Sequence, residues 1–309
     1  MDFDIKDFKP SGNIIVFGSI IMDICIKCEE FPKTGETVYT KENYTSNSGG
    51  KGGNQAVSIA RLGGEVKLIG ALAKDEYGRI LKENLKNEGV DIKKLILKRG
   101  SKSGVAFVWV DNHGDNKIIC SPSVNMEITS EEIVDSLDII KKGDIFMTTL
   151  EYPLEISKAV LKKAKEKGAL TILDPSSSDR LELSKELGKH IDIIKPNEVE
   201  VTYLVGNSSV DFKSAIKYLK NKGVLFPIIS LGEKGVIYEL NNEIINEPAI
   251  EVNAIDPTAA GDTFLGGLAT SLSRGKSIEE SIKFAIKAAS ICVQRFGAIE
   301  SIPFKEDII

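Results

Sequence analysis

Residues 13–20 read NIIVFGSI, an apolar run closed by a glycine and a serine. The run is too short for a helix and lacks polar alternation, so it reads as a strand buried on both faces. The pattern returns in VKLIGAL (66–72), DIFMTTL (144–150), ALTILD (169–174), IDIIKP (191–196) and FPIISLG (226–232). Amphipathic stretches at 53–62, 75–88, 153–167, 197–205 and 211–222 predict helices between them. Two more helices are expected at about 260–273 and 277–294, separated by Arg274-Gly275-Lys276. Gly63, Gly89, Gly168 and Gly223 stand where helix C-terminal caps belong. Doubly covered strands alternating with helices give an α/β fold with a doubly wound, mostly parallel sheet flanked by helices. Ligands of such sheets bind beyond the carboxyl ends of the strands. The segments following GSI, TTLE, LDP, KPNE and SLGEKG are therefore expected to converge on one site.

Two stretches interrupt the alternation, about 22–46 and 103–120. Their short strand-like runs, MDICIKC, ETVYTKEN, GVAFVWV and KIIC, predict antiparallel ribbons outside the parallel core. A small β-sheet beside the first strand makes a natural lid, and the whole chain, 1–309, reads as a single domain carrying it. Trp109, the one tryptophan, falls in a lid strand, where packing or an interface suits it better than stacking on a substrate.

The 309 residues are 42% hydrophobic and 28% charged, which excludes fibrous, low-complexity and wholly disordered chains. No run of about 18 apolar residues suggests a membrane span. MDFDIKDFKPSGN lacks the pattern of a signal peptide, so cytoplasmic residence is expected. Forty basic and 45 acidic residues, interleaved and netting -5, disfavour a nucleic-acid partner. Cys25 and Cys28 form the only CxxC pair, but residues three apart on a strand point to opposite faces and no further ligands lie near in sequence. His113 and His190 have no convincing partner for catalysis.

Three segments could carry chemistry. In DPTAAGDTFLGGL (256–268), the small residues Ala259, Ala260 and Gly261 precede a helical pattern and leave backbone N–H groups bare at a helix start. Such a start binds anions, because unpaired donors and the helix dipole face the same way. Asp262 in that first turn can take a proton from an attacking hydroxyl, or can merely cap the helix. In SNSGGKGGNQAVSIARLGG (46–64), Gly49, Gly50, Gly52 and Gly53 surround Lys51 and lead to Asn54, a bare backbone suited to a hydroxyl-rich ligand or to a turn with a cap. In KPNEVE (195–200), Asn197 and Glu200 read as a helix cap or as a carboxylate near Mg²⁺ and phosphates. A P-loop, a protein-kinase motif set and a G-x-G-x-x-G after the first strand are all absent.

In this order, GGKGGNQA, PNEVE and DPTAAGD resemble the PfkB carbohydrate-kinase family, its ribokinase branch most closely, over nearly the whole chain from GSIIMD (18–23) to GAIESIP (297–303). The resemblance implies a ribokinase-like fold and an ATP-dependent kinase that phosphorylates the primary hydroxyl of a sugar, ribose first, with 2-deoxyribose, another sugar or a nucleoside as alternatives and a non-catalytic sugar-binding relative as the less favoured one. It implies Asp262 as base, with Ala259, Ala260 and Gly261 as the anion hole. Asp23, Gly50, Lys51, Gly52, Gly53, Asn54 and Glu151 correspond to sugar-binding positions. Asn197 and Glu200 correspond to positions near nucleotide phosphates and Mg²⁺, and the loop Ser230, Leu231, Gly232, Glu233, Lys234, Gly235, with Gly261, lies beside the nucleotide. Asp256, Thr258, Val293, Phe296, Ala298 and Ser301 resemble a K⁺ site, mostly of backbone oxygens. A homodimer through the lid follows from the same resemblance. Two positions depart from it. Ile21 replaces the asparagine usual in ribokinases, and Asp174-Pro175-Ser176 stands where they often carry Asn-Pro. Losing an amide from the pocket weakens preference for the hydroxyl it would serve.

Overall fold

The computed structural model describes residues 8–113, 115–176 and 182–308, so residues 1–7, Gly114, 177–181 and Ile309 lie outside the described residues. Along the chain the elements are β1 (Asn13–Phe17), β2 (Ile21–Lys27), β3 (Thr45–Gly49), α1 (Lys51–Arg61), β4 (Glu65–Ala73), α2 (Glu76–Asn87), β5 (Asp91–Lys98), β6 (Gly104–Val110) and β7 (Asn116–Ser121). They continue with α3 (Ser130–Ser136), β8 (Ile145–Thr149), α4 (Leu154–Glu166), β9 (Leu170–Asp174), α5 (Lys185–Gly188), β10 (Ile193–Ile194), α6 (Glu198–Val205) and α7 (Phe212–Asn221). The last are β11 (Phe226–Ser230), β12 (Val236–Leu240), β13 (Glu243–Glu247), α8 (Ala260–Ser273) and α9 (Ile278–Cys292).

The main sheet runs β13-β12-β11-β10-β9-β8-β1-β4-β5, parallel from β5 to β11 and antiparallel over the last two strands. The central strands are the apolar runs, and Ile14, Ile15, Val16 and Phe17 of β1 have no exposed surface. Burying one such side chain contributes about 1.5–3 kcal/mol, so these runs have no competing placement outside the sheet. Gly63, Gly89, Gly168 and Gly223 adopt φ of 81°, 82°, 80° and 105°, the left-handed closure expected after α1, α2, α4 and α7.

The second sheet, β3-β2-β6-β7, corrects the ribbon expectation in two respects. Strands β2 and β6 pair in parallel, Ile21 to Gly104 through Lys27 to Val110. Both leave the carboxyl ends of parallel strands of the main sheet, β1 and β5, so they set out in the same direction. ETVYTKEN forms no strand; TSNSG at 45–49 does, antiparallel to β2. TSNSG has little intrinsic strand preference, and its pairing with β2 decides the matter.

Helix α8 lies against α1 and α9. A Cβ on Gly266 would stand 2.2 Å from Ser58 Oγ, so only glycine lets α1 and α8 approach this closely. That approach carries Asn54 and Gln55 of α1 onto Asp262 of α8.

Candidate active site

The site forms where the carboxyl ends of the parallel strands meet the starts of α1, α6 and α8. Helix α1 begins at Gly50, whose φ of 84° turns the chain out of β3. Gly52 presses on Gly18 at the end of β1, since its Cβ would stand 2.3 Å from the Gly18 carbonyl carbon. Gly53 is buried, yet nothing lies within 4 Å of where its Cβ would be, so it borders open space inside the fold.

Helix α8 begins at Ala259, held at φ 61°. A non-glycine residue in that region costs of order 1–3 kcal/mol and persists because the surroundings impose it. Ala260 N–H closes a turn on Pro257 O at 3.2 Å, and the next N–H to bond back is that of Thr263, to Ala259 O at 2.8 Å. The amides of Gly261 and Asp262 have no backbone acceptor among the described residues. They are bare donors at the head of a 14-residue helix, a geometry that suits an anion. Of the expected Ala259, Ala260 and Gly261, Ala260 is not among them, because its N–H is taken by Pro257 O.

Asp262 is 4% exposed. Its Oδ2 accepts from Asn54 Nδ2 at 3.0 Å and its Oδ1 from Gln55 Nε2 at 3.1 Å. The same Gln55 nitrogen donates to Asp174 Oδ2 at 3.2 Å, and Lys51 Nζ lies 3.7 Å from that oxygen. Burial pushes the Asp262 carboxyl up; Lys51 opposes this, while the Asp174 charge adds to it. Asp174 moves the other way, because Lys51 and then Lys195 outweigh the cost of its burial. Lys51 is held protonated: burial works against its charge, and Asp174, Asp262, Glu151 and Glu200 overcome it. Two neighbouring carboxylates with opposed shifts are the arrangement by which a site assigns one of them to proton transfer.

On the lid side, the Asp23 carboxylate has no hydrogen-bond donor among the described residues and covers Gly49, whose Cβ would stand 2.0 Å from Asp23 Oδ2. Burial, then the charges of Glu300 and Glu151, raise it to about 7. Glu151 Oε2 accepts from Ser19 Oγ at 2.6 Å and from Thr149 Oγ1 at 3.2 Å, and burial raises its carboxyl too. Ile21 packs toward Gly104, 3.1 Å from the position of a Cβ there.

Asn197 and Glu200 form a complete capping box. Asn197 Oδ1 accepts from Val199 N at 2.9 Å and Glu200 N at 2.8 Å, and Glu200 Oε2 accepts from Asn197 N at 2.8 Å. The cap leaves Asn197 Nδ2 and Glu200 Oε1 without a hydrogen bond among the described residues. Burial, then Asp174, raises the Glu200 carboxyl. Ser230 bonds through its N–H to Pro196 O at 2.9 Å, which sets the 230–235 loop beside this helix start. Leu231 precedes a turn of 3-10 helix over Gly232, Glu233 and Lys234, and Gly235 closes it at φ 91°.

The 256–258 and 293–301 segments also meet. Asp256 Oδ2 accepts from Gly297 N at 3.0 Å, and Oδ1 from Thr258 N at 2.9 Å. Val293 O accepts from the N–H groups of Ile255 and Asp256, and Ala298 O from Ser301 Oγ at 2.7 Å. Phe296 is 69% exposed, so any contribution from it to a cation would come from its backbone.

The structure thus brings together the expected strand-end segments. It adds Gln55, Ser19, Thr149 and Lys195, which sequence reasoning missed. Gln55 adjoins Asn54 and Lys195 opens KPNEVE; neither residue type signals its partner without the fold.

Residues 11–305 match the pfkB family of carbohydrate kinases. The chain belongs to that family. It is 36% identical to a ribokinase of Haemophilus influenzae, covering 96% of this chain and 97% of the relative, and 34% identical to one of Bacillus subtilis, covering 96% and 98%. Among solved structures, a Thermotoga maritima ribokinase matches with a TM-score of 0.87 at 34% identity, covering 96% and 97%. An Arabidopsis thaliana ribokinase complexed with ribose and ATP matches at 0.85 and 32%, covering 96% of each chain. This kinase therefore shares both the large sheet and the small lid sheet with ribokinases.

Proposed function

We propose that this kinase transfers the γ-phosphoryl group of ATP to the primary hydroxyl of ribose. The observation that carries the reading is the head of α8. A buried carboxylate, Asp262, adjoins two bare backbone amides at a site lined by Asp23, Lys51, Asn54 and Glu151. Likeness to ribokinases over nearly the whole chain supports ribose as acceptor.

In this reading, Asp23, Asn54 and Glu151 bond the sugar hydroxyls, with the glycine backbone at 50, 52 and 53 and the Lys51 ammonium close by. The open space before Gly53 fits a ring there. Asp262 takes the proton as the sugar oxygen attacks, and burial, by pushing its carboxyl up, makes it a stronger base than a solvated aspartate. The new O–P bond forms on the Asp262 side while the bond to ADP breaks, and the amides of Gly261 and Asp262 hold the charge on the phosphoryl oxygens. Asn197, Glu200 and the 230–235 loop border the nucleotide. The free Glu200 oxygen and the neighbouring amide fit a water-bound Mg²⁺, which when bound neutralises phosphate charge. The oxygen-rich contact of Asp256 and Thr258 with Val293, Phe296, Ala298 and Ser301 fits K⁺.

The lid also supports a homodimer. Edge strand β7 and its neighbour β6 carry Phe107, Ile118 and Ile119 at 43%, 57% and 63% exposure, and such edges need cover. No helix among the described residues is long and apolar enough to cross a membrane. We infer cytoplasmic residence, which the four free cysteines support.

A coupled ADP-release assay with ribose, 2-deoxyribose, fructose and nucleosides, each with and without K⁺, tests the substrate. Turnover is expected to be highest with ribose and to rise with K⁺. A hexose or nucleoside signal far above both pentoses would overturn the assignment.

A further inference from the structure

Lys195 follows β10 and is held in the sheet by its N–H bond to Leu173 O at 3.1 Å. The residue is only 5% exposed. Among the described residues, its ammonium makes no ion pair within 4 Å and no side-chain hydrogen bond, although Asp174 and Glu200 both feel its charge. Burying an ammonium without a close partner costs several kcal/mol, which a fold does not carry idly. Its direction is specific: Nζ lies 3.0 Å from the point where a Cβ on Gly261 would stand. The ammonium therefore sits against the first turn of α8, beside the two bare amides of Gly261 and Asp262.

Three kinds of donor meet there: a helix start, two unpaired N–H groups and a buried cation. The first two suit any anion. The third adds a full charge and up to three hydrogen bonds, which suits a group whose negative charge is spread over several oxygens. We propose that Lys195 is a catalytic residue whose ammonium contacts the phosphoryl group in transfer and completes the anion site begun by the Gly261 and Asp262 amides. The assignment rests on reading the head of α8 as the phosphoryl site. Lys51 is spoken for differently: it lies 3.7 Å from Asp174 Oδ2, whereas Lys195 keeps its donors free.

The test uses Lys195→Met and Lys195→Gln, which keep most of the side-chain volume and remove the charge. Each should lower kcat by about 10²- to 10³-fold, the range seen when a transition-state donor is removed. The KM for ribose should stay within about 3-fold, since Lys195 makes no hydrogen bond or ion pair with Asp23, Asn54 or Glu151, the proposed sugar ligands. Calorimetric titration gives a readout independent of turnover. With ribose present, fluoroaluminate should tighten ADP binding by the wild-type enzyme. The variants should lose most of that gain while binding ADP alone within about 3-fold of wild type. Lys195→Arg should recover part of the rate. A kcat within 3-fold of wild type, retained fluoroaluminate enhancement, or failure of both neutral variants to fold would overturn the assignment and mark Lys195 as structural. Asp262→Asn run alongside separates the two readings. If it keeps the wild-type rate, the phosphoryl site is misplaced. If it is inactive beside a near-normal Lys195→Met, only the lysine assignment falls.

Discussion

At the residue scale, one amide nitrogen joins the two central carboxylates. Gln55 Nε2 stands 3.1 Å from Asp262 Oδ1 and 3.2 Å from Asp174 Oδ2. The Asp174 charge raises the Asp262 carboxyl, so removing it lets Asp262 ionise at lower pH. Asp174→Asn should shift the acid limb of the kcat/KM profile toward lower pH; an unmoved limb would mean that the two groups do not communicate. Burial, then the charges of Glu300 and Glu151, push the Asp23 carboxyl up to about 7. Sugar hydroxyls donate best to its ionised form, so the KM for ribose should fall as pH rises through about 7 and level off above. Asp23→Asn should abolish that dependence and weaken binding by about 10- to 100-fold, the worth of a hydrogen bond to a charged group. A pH-independent KM in wild type would contradict this role. The sequence announced Asp23 and Asp262 because a carboxylate in an apolar strand or at a small-residue helix start needs a reason to be there. It left Gln55 and Lys195 unannounced, because their meaning comes from residues 207 and 66 positions away, Asp262 and Gly261.

At the element scale, the α1–α8 contact positions the chemistry. Ser58 Oγ donates to Thr263 O at 3.3 Å, one turn beyond Asn54 and Gln55. In Gly266→Ala the new Cβ would meet Ser58 Oγ at 2.2 Å and Ser58 Cβ at 2.5 Å. Overpacking of this kind costs about 1–3 kcal/mol. Urea denaturation should report a loss in that range, and kcat should drop as Asn54 and Gln55 move off Asp262. Unchanged stability would show that the helices can separate freely. Apolar runs and glycine caps made the core strands and most helices readable. Strands β5, β12 and β13 were not: DIKKLILK and EIINE mix charges into edge positions where only one flank is paired, and VIYEL, paired on both sides, is a short run interrupted by Glu239. The parallel pairing of β2 with β6 was hidden too, because strand direction depends on where the chain leaves the main sheet.

At the scale of the whole molecule, two sheets divide the work. The nine-stranded sheet presents helix starts and strand ends, and the four-stranded lid presents Asp23 toward them. The lid's exposed Ile119 and Phe107 pair across β7 and β6, so one charge there would disrupt the proposed dimer surface without touching the Asp23 strand. Sedimentation velocity should show wild type as a dimer and Ile119→Asp shifted to monomer; a monomeric wild type would remove the lid interface. The proposed chemistry turns on Asp262 as the proton acceptor at the head of α8. Rapid-quench single turnover of Asp262→Asn with ATP and ribose tests this most directly, with ADP affinity measured in parallel. Phosphoryl transfer slowed by about 10²- to 10⁴-fold at unchanged ADP affinity is the result predicted, and transfer near the wild-type rate would contradict it.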